Sequence, residues 1–197
     1  APPGVTTGAF GSEVFSGTAS SVPASWANVD DMLLFANGVD LPQIYGGSAR
    51  YVDKFIVFKG TAAPATIPTE GEDYTYQVTG KGTGNAILDS LGDLSADYDC
   101  LFVCCPIISD GVTFTIAKAN GTASTLLVKY RKNDATWAAV ASLSDGTNSG
   151  GATMAVTGTV TWTAPTDSIP SYMFGTFGYW YQFYLNTGGD LDSETEV

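Results

Sequence analysis

The second half of the chain alternates large apolar residues with small or polar ones over short segments that turn residues bound. Residues 112–116 place Val, Phe and Ile between threonines, and residues 126–130 repeat the alternation. Side chains two positions apart on a strand share a face, so this period of two predicts short strands. Residues 179–185 carry aromatic side chains at both odd and even positions. We therefore expect both faces of that strand to be covered.

These segments predict an all-β fold, an antiparallel β-sandwich or jelly roll over residues 74–197. Ahead of it, short apolar runs separated by turn residues predict a short-stranded β-meander region and linker over residues 29–73. Residues 1–28, rich in Gly, Ser, Thr, Ala and Pro, predict an extended arm. Helix-like spacing occurs at residues 85–94, with room for about two turns. Residues 194–197 resemble the start of another strand.

The charge balance bears on possible partners. Charged residues make up 14% of the chain, and 20 acidic residues against 8 basic ones give a net charge of −12. This charge repels phosphate backbones and anionic lipid, so nucleic acid is not an expected partner. No apolar run reaches the length of about 18 residues that a spanning helix needs, and no membrane insertion is expected. The start at Ala1-Pro2-Pro3, without Met, predicts a processed product or a fragment.

Three cysteines, Cys100, Cys104 and Cys105, are crowded into one apolar run. An odd count this close together is not a disulfide framework. On a strand, Cys100 and Cys104 share a face about 13 Å apart, too far to bridge, while Cys105 points the other way. We expect small buried thiols in a central strand covered on both faces, made in a reducing compartment.

Histidine is absent, which removes the commonest general base together with Ser-His and Cys-His catalysis. Glycoside hydrolysis needs only two carboxylates, and Asp97 with Asp99, or Asp190 with Asp192, are conceivable pairs. Asp30 with Asp31 is a third. Each pair lies in a sequence typical of turns and solvated edges. We therefore predict that the chain is not an enzyme.

Two oxygen-rich segments are weak calcium candidates, because Ca²⁺ takes oxygen ligands from loops. They contain Asp145 in the first segment and Asp190 and Asp192 in the second. Neither has the EF-hand spacing, and turn chemistry is the favoured interpretation. No cofactor is expected.

Aromatic residues suggest where a ligand or a subunit could bind. Sugar-binding sandwiches use exposed aromatic rings as stacking platforms, whereas Trp and Tyr more often fill the core. The candidates for ligand or subunit contact are Trp137, Tyr179, Trp180 and Tyr184. For the strand at 179–185 we favour a subunit contact over a bound sugar.

The order of motifs in the second region resembles a β-sandwich module of tailed-bacteriophage virion structural proteins. These motifs, over about residues 98–190, are VKY at 128–130, ATW at 135–137, SDGT at 144–147, GTVTW at 158–162 followed by Pro165, and GYWY at 178–181. The chain departs from the module at Gln182, where the module often has Arg, so a salt bridge made there is in doubt. Residues 34–47 are similar to the "ANGVD-x-P" repeat of tail and tail-fibre proteins.

This resemblance implies a component of the virion, assembled in the host cytoplasm in the tail, baseplate, fibre or capsid surface. Its partners would be other virion proteins and copies of itself in a homo-oligomer, and a host surface glycan is a further partner. The alternative is an extracellular carbohydrate-binding module that mediates surface attachment. A low-charge β chain with an extended arm has much surface that neighbours can cover.

Overall fold

The computed structural model describes residues 52–133 and 135–197, together with the backbone of three strands that precede them. The chain divides into two compact units, Ala1–Arg50 and Tyr51–Val197. In the first unit, β1 (Ser25–Val29), β2 (Met32–Ala36) and β3 (Gln43–Gly46) form an antiparallel meander in that order. Of the arm predicted over residues 1–28, residues 1–24 lie outside the described residues, as does the predicted turn at Asn37-Gly38. Residues 25–28 of the predicted arm belong to the strand β1.

In the second unit, the described residues form ten strands and one short helix. The strands are β4 (Lys54–Phe58), β5 (Glu72–Asp73), β6 (Cys100–Cys105), β7 (Gly111–Phe114), β8 (Leu126–Arg131), β9 (Trp137–Ala139), β10 (Ala141–Asp145), β11 (Gly158–Thr163), β12 (Ser171–Met173) and β13 (Thr176–Leu185), and the helix is α1 (Thr75–Val78). The larger sheet has the order β5-β4-β6-β13-β8-β9, with β12 paired to β13. The smaller sheet has the order β10-β11-β7, and all pairings between the strands of these two sheets are antiparallel.

The core lies between the two sheets, as alternation along the strands requires. From the larger sheet it takes Phe55, Val103 and Phe183, and from the smaller sheet Phe114 and Trp162. Their rings make edge contacts, with the Phe114 and Phe183 centroids 5.4 Å apart. The predicted antiparallel β-sandwich is confirmed, and the jelly roll stays a prediction.

The outer face of the larger sheet is also closed by the chain itself. Phe102, Cys104 and Trp180 are fully buried there and pack with Met173 and Phe174 from the end of β12 and the turn that follows it. The Arg131 guanidinium at the end of β8 donates a hydrogen bond to Thr66 O at 2.9 Å, which holds the loop before β5 against β8. The expectation that both faces of residues 179–185 are covered is confirmed, as is the burial of β6 on both faces.

Two expectations differ from the structure. Residues 85–94 form no helix: Ala86 and Leu88 are buried while Ile87 is exposed, and their backbone bonds go to Thr195 and Val197. Hydrogen bonds to residues distant in sequence therefore determine the conformation of this segment. The sandwich also begins earlier than the predicted boundary at residue 74, because β4 pairs with β6 along its whole length.

The last residues of the chain complete the sandwich edge. The Ala86 N–H donates to Val197 O at 2.7 Å, and the Val197 N–H donates back to Ala86 O at 3.0 Å. Glu196 also bridges Lys118 on the other side. The strand-like character predicted for residues 194–197 is thus seen as pairing on both sides of a short extended segment.

Candidate functional site

A two-residue hairpin joins β12 to β13. Met173 pairs with Thr176, and the two residues between them have positive φ, 49° at Phe174 and 78° at Gly175. Positive φ at both positions is the type I′ geometry, which usually takes Asn-Gly because a bulky side chain is strained there. Phe174 compensates by packing its ring 5.6 Å from both Phe102 and Trp180. The turn is therefore anchored on the buried outer face.

Two aromatic side chains stand out from this hairpin. Tyr172 and Phe177 are directly opposite each other in the β12–β13 register. They are 68% and 65% exposed, the largest values among the exposed large apolar residues of the described part of the chain. Directly opposed side chains on antiparallel strands lie within about 5.5 Å at Cβ, so the two rings form one surface.

The end of β6 lies at the same end of the sandwich. Cys105, the last residue of β6, pairs with Tyr179, and the register of β6 with β13 ends at this pair. In the loop that follows β6, Ile107 is 44% and Ile108 37% exposed. We call the paired Tyr172 and Phe177 the apolar end.

Hydrogen bonds from buried aromatic residues hold this end in place. The Ser109 N–H donates to the Tyr181 hydroxyl at 2.8 Å, and that hydroxyl donates back to Ser109 O at 3.1 Å. The Trp162 indole N–H also donates to Ser109 O, at 2.9 Å. Burial raises the pKa of Tyr181 well above its usual value, so the phenol stays a neutral donor.

Two uncharged stretches of sequence lead to this end of the sandwich. No charged residue lies between Asp99 and Asp110, or between Asp167 and Asp190. Gly178 allows this close packing of β13 on β6, since a Cβ there would lie 2.5 Å from Cys104 Sγ. Asp53 and Asp110 nevertheless lie near this end, since their charges act on Cys104, Cys105 and Tyr181. The exposed rings of Tyr172 and Phe177 are its apolar part.

The four aromatic candidates predicted from the sequence do not form one exposed platform. Trp180 is 0% exposed and donates its indole N–H to Ser171 O at 2.9 Å. It is a core residue and offers no ring face to a ligand or a subunit, which corrects its selection as a contact residue. Sequence alternation placed it on the second face but gave no sign that β12 and its turn cover that face.

Trp137 and Tyr184 pack at the edge of the same buried cluster, and both are half-buried. The Arg131 guanidinium lies 5.6 Å from the Trp137 ring centre, and Lys129 Nζ lies 4.5 Å above Tyr184. Tyr179, also half-buried, packs on the opposite side, against the core between the sheets. The structure therefore groups Trp137, Trp180 and Tyr184 and separates Tyr179 from them.

The calcium candidates Asp145 and Asp192 serve turns. Asp145 accepts hydrogen bonds from Thr147 N and Oγ1 and from Thr153 Oγ1, at 2.6–2.8 Å. Asp192 accepts from Gly121 N at 2.7 Å and from Thr195 Oγ1 at 2.9 Å, and its pKa is lowered by these bonds. Asp190 is exposed. Within residues 52–133 and 135–197, no group of three or more His, Cys, Asp or Glu is arranged to hold a metal.

The acidic pair Asp97 and Asp99 belongs to a hydrogen-bonded loop organised by Asp93. The buried Asp93 carboxylate accepts from Ser95 N and Oγ, from Ala96 N and from Gly188 N at 2.6–2.7 Å. These bonds lower its pKa, the Ser95 hydroxyl contributing most. Burial raises the pKa of Asp99, against backbone bonds from Gly92 and Gly60 that lower it. Asp30 and Asp31 lie outside the described residues.

Protonation of Asp93 is expected to destabilise the fold in acid. Its folded pKa lies below the unfolded value of about 3.9, so its contribution is complete above that value and is lost as the pH falls through the folded pKa. Asp99 has the opposite effect on the pH dependence of stability, because its pKa is raised in the folded state. Lowering the pH through that range therefore favours the folded state at Asp99. We expect Asp93→Asn to lower the free energy of unfolding in urea at pH 7, by a margin that shrinks below about pH 4.

Asp190→Asn, at an exposed position, is the matched control and should stay within about 0.5 kcal/mol of the wild type at pH 7. A wild-type advantage over Asp93→Asn that is as large at about pH 2.5 as at pH 7 would contradict the assignment.

Sequence reasoning missed the apolar end. The available signal was the long uncharged run around Tyr172 and Phe177, with Phe177 two positions before Tyr179 in the alternation. No helix among the described residues has the length and apolar character needed to cross a membrane. We compared the chain with protein-family models, curated proteins and solved structures, and none of the three comparisons gave a match.

Proposed function

We propose that the chain is a non-catalytic structural protein of a tailed-phage virion, in the tail, baseplate, fibre or capsid surface, and that it acts through subunit assembly. The observation that carries this proposal is the apolar end, with Tyr172 and Phe177 about two-thirds exposed. Exposed contiguous apolar surface on a folded chain marks an interaction site. Aromatic residues are also enriched in the centres of protein–protein interfaces.

The packing of the core supports assembly through exposed side chains. Both faces of the larger sheet are closed by residues of the same chain, so the rings of the apolar end are not needed to complete it. Tyr172 and Phe177 are therefore free to contact another subunit. The acidic side chains support a non-catalytic role, because the carboxylates of Asp93, Asp145 and Asp192 accept short hydrogen bonds within turns.

A carbohydrate-binding module that attaches to a host surface glycan is the second candidate. It is favoured by the side-by-side placement of the Tyr172 and Phe177 rings, since the apolar face of a sugar ring packs on an aromatic face. A stacking platform of this kind would be formed by residues other than the predicted Trp137, Tyr179, Trp180 and Tyr184.

The two candidates predict different behaviour of the full chain in solution. For an assembly protein, we expect the weight-average mass from sedimentation velocity to rise over about a hundredfold increase in concentration. We also expect no specific signal on a glycan array. A constant monomer mass together with specific glycan binding that is lost in Phe177→Thr would overturn assembly and establish the second candidate.

A further inference from the structure

We propose that residues 62–65 are a processing site, at which an endoprotease that prefers a small residue before the cut bond cleaves the Ala65–Thr66 amide of the folded chain. The site lies in the connection between β4 and β5, and we call residues 61–70 of this connection the strap. Hydrolysis adds one water across the amide and leaves a carboxylate on Ala65 and an ammonium group on Thr66. This inference does not depend on the proposed assembly function.

The strap makes very few hydrogen bonds. Within the part of the chain that the structure describes, its residues take part in one, in which the Arg131 guanidinium donates to Thr66 O at 2.9 Å. All of its residues except Pro64 and Pro68 are exposed. A protease binds its substrate as an added extended strand, so a segment must first give up the backbone bonds that it already makes. The strap has almost none to give up.

The sequence of the strap indicates the class of protease. Residues 60–69 carry no charge, and residues 62–65 are Ala-Ala-Pro-Ala. The small specificity pocket of an elastase-type protease accepts alanine, whereas a trypsin-type pocket needs a basic residue, which the strap lacks. Pro64 biases Ala63 towards extended backbone, the conformation in which a protease binds its substrate.

Two other exposed loops of the described chain are held by backbone hydrogen bonds. Between β10 and β11, Ala155 N and Val156 N both donate to Thr147 O, at 3.0 and 3.1 Å. Between β11 and β12, Asp167 O accepts from Asn133 N at 2.9 Å. Either loop must open before a protease can bind it, so cleavage there is slowed by the free energy of opening.

The fold does not need the cut bond to stay together. β4 ends at Phe58, pairs with β6 along its whole length, and buries every side chain except its first. Between β4 and the strap, Gly60 N donates to Asp99 Oδ1 at 3.2 Å. The fragment that ends at Ala65 therefore keeps its place in the larger sheet. Cleavage replaces the covalent link between the first compact unit and most of the sandwich by strand pairing.

Limited digestion of the native full chain with pancreatic elastase tests the site. Only fragments that begin or end within residues 52–197 are counted, by mass. We expect the fragment that begins at Thr66 to form at least about tenfold faster than any other. Size-exclusion chromatography should then show both fragments in one peak that separates only in denaturant. A first cut elsewhere in residues 52–197, or fragments that separate without denaturant, would overturn the proposal.

The variant Ala65→Lys tests access to the same bond with a second protease. Trypsin should cut the native variant after position 65 at least about a hundredfold faster than after Lys118, whereas elastase should lose the cut at this bond. Lys118 is the matched reference, because its side chain is 53% exposed while its backbone N–H donates to Glu196 O at 3.1 Å. Trypsin cleavage at position 65 that is no faster than at Lys118 would contradict an open strap.

Discussion

Replacement of Trp180 by Ala is expected to remove about 3–5 kcal/mol from the free energy of unfolding. Trp180 is 0% exposed on the outer face of the larger sheet. The change would leave a cavity under Phe174, whose ring lies 5.6 Å away, and would leave Ser171 O without the indole donor. Urea unfolding followed by circular dichroism measures the loss.

Trp137→Ala is the matched control, because the same residue type lies half-buried at the edge of the same cluster. It should cost less, since part of the Trp137 ring is already in contact with water. Equal losses for the two tryptophans would contradict the account of a closed outer face, and so would a loss below about 1 kcal/mol for Trp180→Ala.

In the native protein, the three thiols are expected to react with a thiol reagent at least about 10³ times more slowly than in the unfolded chain. All three are buried, and burial raises the pKa of Cys100 and of Cys105 to about 12 and that of Cys104 further. The reactive thiolate is therefore scarce as well as inaccessible.

The measurement is thiol labelling at pH 8 with and without denaturant, counted by mass spectrometry. We expect none of the three thiols to be labelled promptly in the native protein and all three in the denatured chain. Tyr76→Cys supplies an exposed thiol as an internal reference. Prompt native labelling of Cys104 would show that the outer face opens and would contradict the packing described for it.

The sequence predicted those parts of the fold that local pattern determines. β6 and β13 were predicted as strands covered on both faces, because apolar side chains occupy both odd and even positions. The opposed orientations of Cys104 and Cys105 followed from the same period, and the structure confirms them in separate clusters. Strand identity and facing are local properties.

Pairing between segments distant in sequence determines the features of the fold that the local sequence pattern did not predict. Residues 85–94 have helix-like spacing, yet Leu88 N bonds to Thr195 O, more than a hundred positions away. β4 was assigned to the first region because of its position in the chain, whereas its hydrogen bonds go to β6. In both cases a distant strand outweighed the local preference.

At the candidate site, too, some features were predicted from local pattern and others depend on the path of the chain. Alternation placed Trp180 on a second face that needed cover, but the cover comes from Met173 and Phe174, and the exposed rings are Tyr172 and Phe177. Which ring stays exposed depends on the path of the chain after Pro165 and on an unusual Phe-Gly turn. Neither is visible in a pattern of apolar residues.

The salt dependence of self-association distinguishes apolar contact between copies from ion pairing. Raising ionic strength from about 0.05 M to about 0.5 M shortens the screening length from roughly 14 Å to roughly 4 Å. If copies with a net charge of −12 meet through the apolar end, this screening should strengthen association in sedimentation velocity, because it reduces repulsion without weakening apolar contact. Association that weakens with salt would mean that ion pairs hold the copies together, and it would contradict assembly through apolar contact.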